Sequence, residues 1–186
     1  MEKDQNTETE DKVAVAGRIM AMRNNGMFLD LMDASGKIQV FCHKDSMSQE
    51  ELEKLEMFDI GDIVGGKGTI RRTPRGELSV RATEVTMLTK TMLPLPEKYH
   101  GLTDVETRYR QRYLDLISNE EARRVAVMRS HAVGSMRRFM DNRGFIEVET
   151  PILVSVAAGT MAHPFITHHN QLNRDLYLRI ATELYL

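Results

Sequence analysis

The sequence predicts an α+β chain whose N-terminal half closes into a five-stranded β-barrel. Three observations predict it. Five runs between Lys12 and Leu88 alternate apolar and polar residues with the two-residue period of half-buried strands. A single short helical run separates the third of these from the fourth, and beyond a proline-containing stretch the apolar spacing changes to three and four.

Residues 1–11 set Glu2, Asp4, Glu8, Glu10 and Asp11 against Lys3 alone, and are expected to form a disordered acidic tail. In the first strand Val13, Val15, Gly17 and Ile19 alternate with Ala14, Ala16 and Arg18. Asn24-Asn25-Gly26 has turn chemistry. The second strand places Met27, Leu29 and Leu31 on one side and Phe28 and Asp30 on the other. After a turn at Ala34-Ser35-Gly36, the third sets Ile38, Val40 and Cys42 opposite Gln39 and Phe41. The run from Ser46 to Phe58 starts with serines and acidic residues and then spaces Leu52, Leu55 and Phe58 by three, as a short helix does. A fourth strand covers about 62–70, with Gly65, Gly66 and Gly68 where a barrel must bend. Pro74-Arg75-Gly76 turns the chain into a fifth, about Glu77–Leu88.

Three strands, a helix and two strands form the element order of the OB-fold, a Greek-key barrel that binds oligonucleotides. An SH3-like barrel is the competing architecture, and the helix after the third strand favours the OB-fold. The barrel domain is bounded at 12–89, followed by a linker at 90–103 and a second domain at 104–186. There, Ser118 and Glu121 are spaced as a capping box, and Val125, Met128, Ala132, Met136 and Phe139 follow at helical spacing up to a C-cap at Gly144. Phe145–Pro151 reads as a strand stopped by proline. Ala157-Ala158-Gly159 is a loop, and Phe165–Thr167 and Leu176–Ile180 read as strands.

The net charge of −2 does not announce a nucleic-acid binder, but the charge is uneven: nine arginines fall within 107–143. A local basic face holds phosphates even on an acidic protein, although a solvated helix face has the same composition. Cys42 is the only cysteine, so no intrachain disulfide forms, and its place in a strand suits a small core residue. No apolar run approaches the roughly 18 residues of a membrane span. The N-terminus lacks the basic start of a secretory signal, which leaves the cytoplasm as the expected location.

Three residues carry the functional expectation for the barrel. By alternation Arg18, Phe28 and Gln39 lie on the outer face, where an aromatic side chain has no packing role in a barrel filled by aliphatics. A ring, an amide and a guanidinium suit an unpaired base: stacking supplies affinity and edge contacts supply choice. Burial of Phe28 under a neighbouring segment is the alternative. His168 and His169 are adjacent on a strand, point to opposite faces and have no zinc spacing with His163, so no metal site is expected. No phosphate-cradling glycine loop and no Ser/His/Asp order is present, which describes a binder rather than an enzyme.

Several strings carry a resemblance: Val13–Met20 (VAVAGRIM), the linker from Leu95-Pro96 to Gly101-Leu102, Arg108–Ile117 (RYRQRYLDLI), Arg143–Pro151 (RGFIEVETP) and Pro164–Asn170 (PFITHHN). Over about Val13 to Leu186 the chain resembles class II lysyl-tRNA synthetases, the last string favouring these over their aspartyl and asparaginyl relatives. The resemblance implies an anticodon-binding OB domain joined to an incomplete class II catalytic domain. It implies that Phe28 and Gln39 stack on and read the central anticodon uridine, with Arg18 beside them and Glu77 a further candidate. It assigns the helix from Ser118 to Arg143 and the strand ending at Pro151 to motif 1, the family's homodimer interface, which includes Phe139, Gly144 and Pro151. Gly159 and Glu183 match positions that hold the substrate lysine.

The chain departs from the family pattern at Ala157-Ala158, where Pro-Gly is usual, at His163 for arginine and at Thr182 for proline. It contains neither motif 2 nor motif 3, the segments that bind ATP and Mg²⁺. The resemblance therefore implies a lysine–tRNA ligase by descent, with tRNA as partner. This chain alone is expected to be inactive, to carry no catalytic residue and to bind no ATP or Mg²⁺. A non-catalytic tRNA-binding module and a structural dimerisation partner of a full-length synthetase are the alternatives.

Overall fold

The computed structural model describes residues 7–96, 101–159 and 161–186. Two compact units divide at Glu120/Glu121.

The first unit is built on a closed barrel of β1 (Glu8–Arg23), β2 (Phe28–Met32), β3 (Lys37–Phe41), β4 (Ile63–Arg72) and β5 (Leu78–Thr89), paired in the order β1-β2-β3-β5-β4. β3 and β5 run parallel and the other neighbours antiparallel, which is the OB-fold closure. The inward residues are those the alternation selects: Ile19, Leu29, Leu31, Val40, Val64, Val80, Ala82 and Val85 are at most 2% exposed. Cys42 joins this core, and burial pushes its thiol up to about 12.

Between β3 and β4 lie α1 (Gln49–Glu53) and a 3₁₀ turn at Lys54–Met57. Ser48 caps α1 by accepting from the Glu51 backbone N–H, and Leu55 and Phe58 seal the barrel end. Gly68 on β4 is required by close approach: a Cβ there would lie 1.9 Å from the Arg81 carbonyl oxygen, next to the register shift at Lys67/Gly68.

Two sequence expectations fail in this unit. Residues 8–11 are not tail but the start of β1: Glu8 stands opposite Arg71, and its carboxylate accepts from Arg81 Nη1 at 2.9 Å. Residues 1–6 of the expected tail lie outside the described residues. The expected linker also begins firmly attached. Buried Asp62 accepts from Lys90 Nζ at 2.9 Å, from the Thr91 backbone N–H at 2.7 Å and from that of Asp59 at 2.8 Å. Burial alone would raise this carboxyl, but these hydrogen bonds outweigh it and hold it below the ordinary range.

α2 (Val105–Arg110) and α3 (Arg112–Ser118) follow in the first unit. Fully buried Asp115 accepts from Arg108 Nε at 3.0 Å and Arg112 Nη1 at 2.5 Å, while Arg110 turns to Glu106 at 2.6 Å. Ser118 does not cap the next helix. Its hydroxyl donates to the Leu114 carbonyl, so it closes α3 instead.

The second unit contains α4 (Glu120–Asp141) and a three-stranded sheet, β6 (Leu153–Val154), β7 (Ile166–His169) and β8 (Arg174–Leu178), in the order β6-β8-β7. The expected strand at Phe145–Pro151 is absent: among the described residues it finds no ladder partner, and alternation alone does not make a strand.

Candidate nucleic-acid interface

The β2–β3 register puts Phe28 opposite Phe41 on the outer face of the barrel, their ring centroids 5.0 Å apart and tilted by 34°. Phe41 is in turn stacked on His43, at 5.4 Å and 10°. Three rings thus form a row across two strands. Two guanidiniums flank it: Arg23, opposite Phe28 on β1, sits 5.9 Å from that ring, and Arg71 of β4 sits 4.8 Å from Phe41. Arg23 is oriented by Asp30, a buried carboxylate that accepts from Arg23 Nη2 at 2.8 Å and faces Lys37 Nζ at 2.9 Å.

Beside the rings, Gln39 Nε2 donates to Glu77 Oε2 at 3.3 Å. Gln39 is buried and lies at the floor, whereas Glu77 is exposed at the rim, held by the turn in which its backbone N–H donates to Thr73 Oγ1. Phe28, Phe41, Gln39, Glu77, Arg23 and Arg71 all line one open cleft of about 510 Å³. No described residue donates to Gln39 Oε1. The cleft therefore offers a carbonyl and a carboxylate as acceptors, an amide and guanidiniums as donors, and ring faces for stacking. A flat heterocycle with alternating N–H and C=O groups, such as an unpaired pyrimidine, meets each of these.

Of the residues singled out from sequence, Phe28, Gln39 and Glu77 come together and Arg18 does not. Arg18 stands opposite Met32 and Ile63, and its Nη1 donates to the Gly61 carbonyl at 2.6 Å, outside the cleft lining. Arg23 takes the place expected of it. Sequence reasoning also missed Phe41 as a platform, although Phe41 shares the Gln39 side of β3; His43 and Arg71 carried no local signal.

In the second unit, Gly159 packs tightly on the segment that leads to Glu183: a Cβ at Gly159 would lie 2.8 Å from that of Ala181. Glu183 opens a 3₁₀ turn and is exposed. Phe139 is 53% exposed, with the Arg143 guanidinium 3.5 Å from its ring centroid. Gly144 has φ +81° at the end of α4, as the C-cap expectation requires. The Pro151 carbonyl accepts from Arg179 Nη1 at 3.0 Å. Among the described residues no group of three or more His, Cys, Asp or Glu could hold a metal ion. His168 pairs with Asp175 at 2.8 Å and His169 accepts from the Leu172 backbone N–H, both structural contacts of the β7–β8 hairpin. No helix among the described residues is long and apolar enough to cross a membrane.

Comparison with known proteins agrees with both halves. The model for OB-fold nucleic acid binding domains matches residues 13–88, and that for class II tRNA synthetases (D, K and N) matches residues 104–186. The chain is 58% identical over 180 residues to the lysine–tRNA ligase of Sinorhizobium medicae, covering 97% of this chain and 36% of the relative. It is 55% identical over 183 residues to that of Rhizobium etli, covering 98% and 37%, and 50% identical to that of Dehalococcoides mccartyi, covering 100% and 38%. The chain thus spans little more than a third of the length of these curated relatives.

Proposed function

The chain belongs to the lysine–tRNA ligase family of class II tRNA synthetases, whose N-terminal portion it matches, and from that premise we propose that its barrel binds the anticodon loop of tRNA and reads the central uridine. The single observation that carries the reading is the juxtaposition of the Phe28–Phe41 rings with the Gln39–Glu77 hydrogen bond in one cleft. The base stacks on Phe28. Its N3–H meets the acceptors at Gln39 Oε1 and Glu77, and its carbonyls take donors from the Gln39 amide and Arg23.

The family reaction, ATP-dependent attachment of lysine to tRNA in the cytoplasm, belongs to the whole protein. Its substrate lysine is assigned to the region of Gly159 and Glu183. Binding of ATP with Mg²⁺ in that reaction is assigned to motifs 2 and 3 of the family. The part of that reaction proposed for the barrel is RNA binding. Dimerisation through motif 1 is supported by the apolar stripe of α4, where Val125, Met128, Met136 and Phe139 are 49–61% exposed. That stripe equally favours a second reading, a structural partner that pairs with a longer synthetase.

Titration with a fluorescent anticodon stem-loop carrying UUU separates these readings. Saturable binding, weakened when the central uridine becomes cytidine and less discriminating in Gln39→Ala, supports anticodon reading. Equal affinity for both loops in parent and variant contradicts it.

A further inference from the structure

Asp30 puts a charge where packing does not call for one. It lies on β2 between Phe28 and Met32, opposite Gln39 on β3 and Ala21 on β1. Its side chain is 4% exposed, and each carboxylate oxygen meets one cation: Oδ1 accepts from Arg23 Nη2 at 2.8 Å, and Oδ2 faces Lys37 Nζ at 2.9 Å. Both cations are half-exposed. A buried carboxylate loses hydration that an aliphatic side chain would not lose, and pairing with partners open to water returns little of it. Stability does not account for the arrangement.

Its consequence is geometric. Arg23 lines the cleft with Phe28, Gln39 and Glu77, whereas Asp30 and Lys37 do not. The bond from Nη2 anchors one edge of the guanidinium, and its other N–H groups have no hydrogen-bond partner among the described residues. An unanchored arginine of this exposure samples many rotamers; one held by a buried carboxylate presents its remaining donors in a fixed fork. A guanidinium donates and accepts nothing.

We propose that Asp30 is a positioning residue for base choice: it holds Arg23 so that the free donors face the 4-position of the pyrimidine stacked on Phe28. Uracil carries a carbonyl oxygen there and accepts. Cytosine carries an amino group, so donor meets donor and cytidine is rejected. The proposal rests on the anticodon reading above and deepens it. Stacking supplies affinity, and Asp30 supplies selectivity without touching the RNA.

The test compares the affinities of the full 186-residue chain for stem-loops carrying UUU and UCU, read as a ratio. Asp30→Ala should lower that ratio roughly tenfold, the value of one hydrogen bond to a charged group. Asp30→Asn keeps the oxygen that meets Arg23 but loses the charge, and should restore part of the ratio. Arg23→Ala should lower the ratio as far as Asp30→Ala, and the double variant no further, because both changes remove the same fixed donor. Lys37→Ala should leave the ratio unchanged; an equal fall there would make the effect one of charge and overturn the positioning role. Nitrogen NMR of the parent chain without RNA requires no change at Asp30. The Arg23 guanidinium, assigned by its loss in Arg23→Ala, should show hindered rotation, and free rotation would overturn the proposal.

Thermal unfolding by circular dichroism confirms that each variant is folded. If the parent prefers UUU and folded Asp30→Ala keeps the parental ratio, the positioning role is refuted and the anticodon reading stands. If the parent binds UUU and UCU equally, both fall.

Discussion

Asp62 fixes the point where the chain leaves the barrel, and its removal gives a prediction that can be worked from the structure. The carboxylate is fully buried and accepts two backbone N–H groups, those of Asp59 and Thr91, besides Lys90 Nζ. In Asp62→Ala the Lys90 ammonium, whose side chain is 41% exposed, turns to water and to Asp59, so the lost ion pair contributes little. The two backbone donors lose their acceptor, at a cost of roughly 1–3 kcal/mol each. The expected destabilisation is therefore about 2–6 kcal/mol, and less for Asp62→Asn, which retains one acceptor oxygen.

The pH dependence has a definite sign. The Asp62 carboxyl is held below its unfolded value, so its contribution is present above the ordinary carboxylate pKa of roughly 4 and is lost as pH falls through the lowered folded value. Urea unfolding followed by circular dichroism at pH 7 should show the full gap between parent and Asp62→Ala, and the gap should narrow below pH 4. Unchanged stability at pH 7, or a gap independent of pH, would refute the assignment of this network.

The remaining predictions concern the two halves and their chemistry. Cys42, with its thiol pushed up to about 12 by burial, should react with iodoacetamide at neutral pH only at the rate of barrel opening, so added urea accelerates labelling and raising the pH to 9 has little effect. Limited proteolysis should leave a protected fragment that contains the whole barrel, from β1 to the Lys90–Thr91 attachment, because the apolar stripe of α4 and the short edges of the β6-β8-β7 sheet remain uncovered; equal protection of residues 121–186 would count against that difference. The purified 186 residues should give no lysine-dependent ATP–pyrophosphate exchange, and exchange abolished by Glu183→Gln would overturn that expectation.

The barrel was legible because two-residue alternation selects the buried set directly: Leu29, Leu31, Val40 and Val80 fall where the pattern puts them. The site was legible only in part, and the reason is register. β1 shifts its pairing with β2 between Ile19 and Ala21, so simple alternation carried Arg18 toward Phe28 when the residue opposite Phe28 is Arg23. Phe41 could have been found, since it shares a side with Gln39, but its stacking on His43 and Phe28 depends on cross-strand pairing that no local pattern encodes. Acidic residues at 8–11 read as disorder because composition counts charge without its partners; Arg81 supplies one to Glu8 from a strand far along the chain, and β4 supplies the backbone ladder that makes these residues strand. Ser118 misled for a related reason, since the spacing of a capping box does not reveal whether the hydroxyl bonds forward or backward.

The central claim is that Phe28 stacks on the central anticodon base, and a thermodynamic cycle tests it most directly. Four affinities are measured: parent and Phe28→Ala, each with the UUU stem-loop and with the same stem-loop made abasic at the central position. Stacking predicts that Phe28→Ala loses roughly 1–3 kcal/mol with the intact loop and almost nothing with the abasic loop, a coupling of the same size. An equal loss with both loops would mean that Phe28 supports only the shape of the barrel face, through its contact with Phe41, and would contradict the assignment.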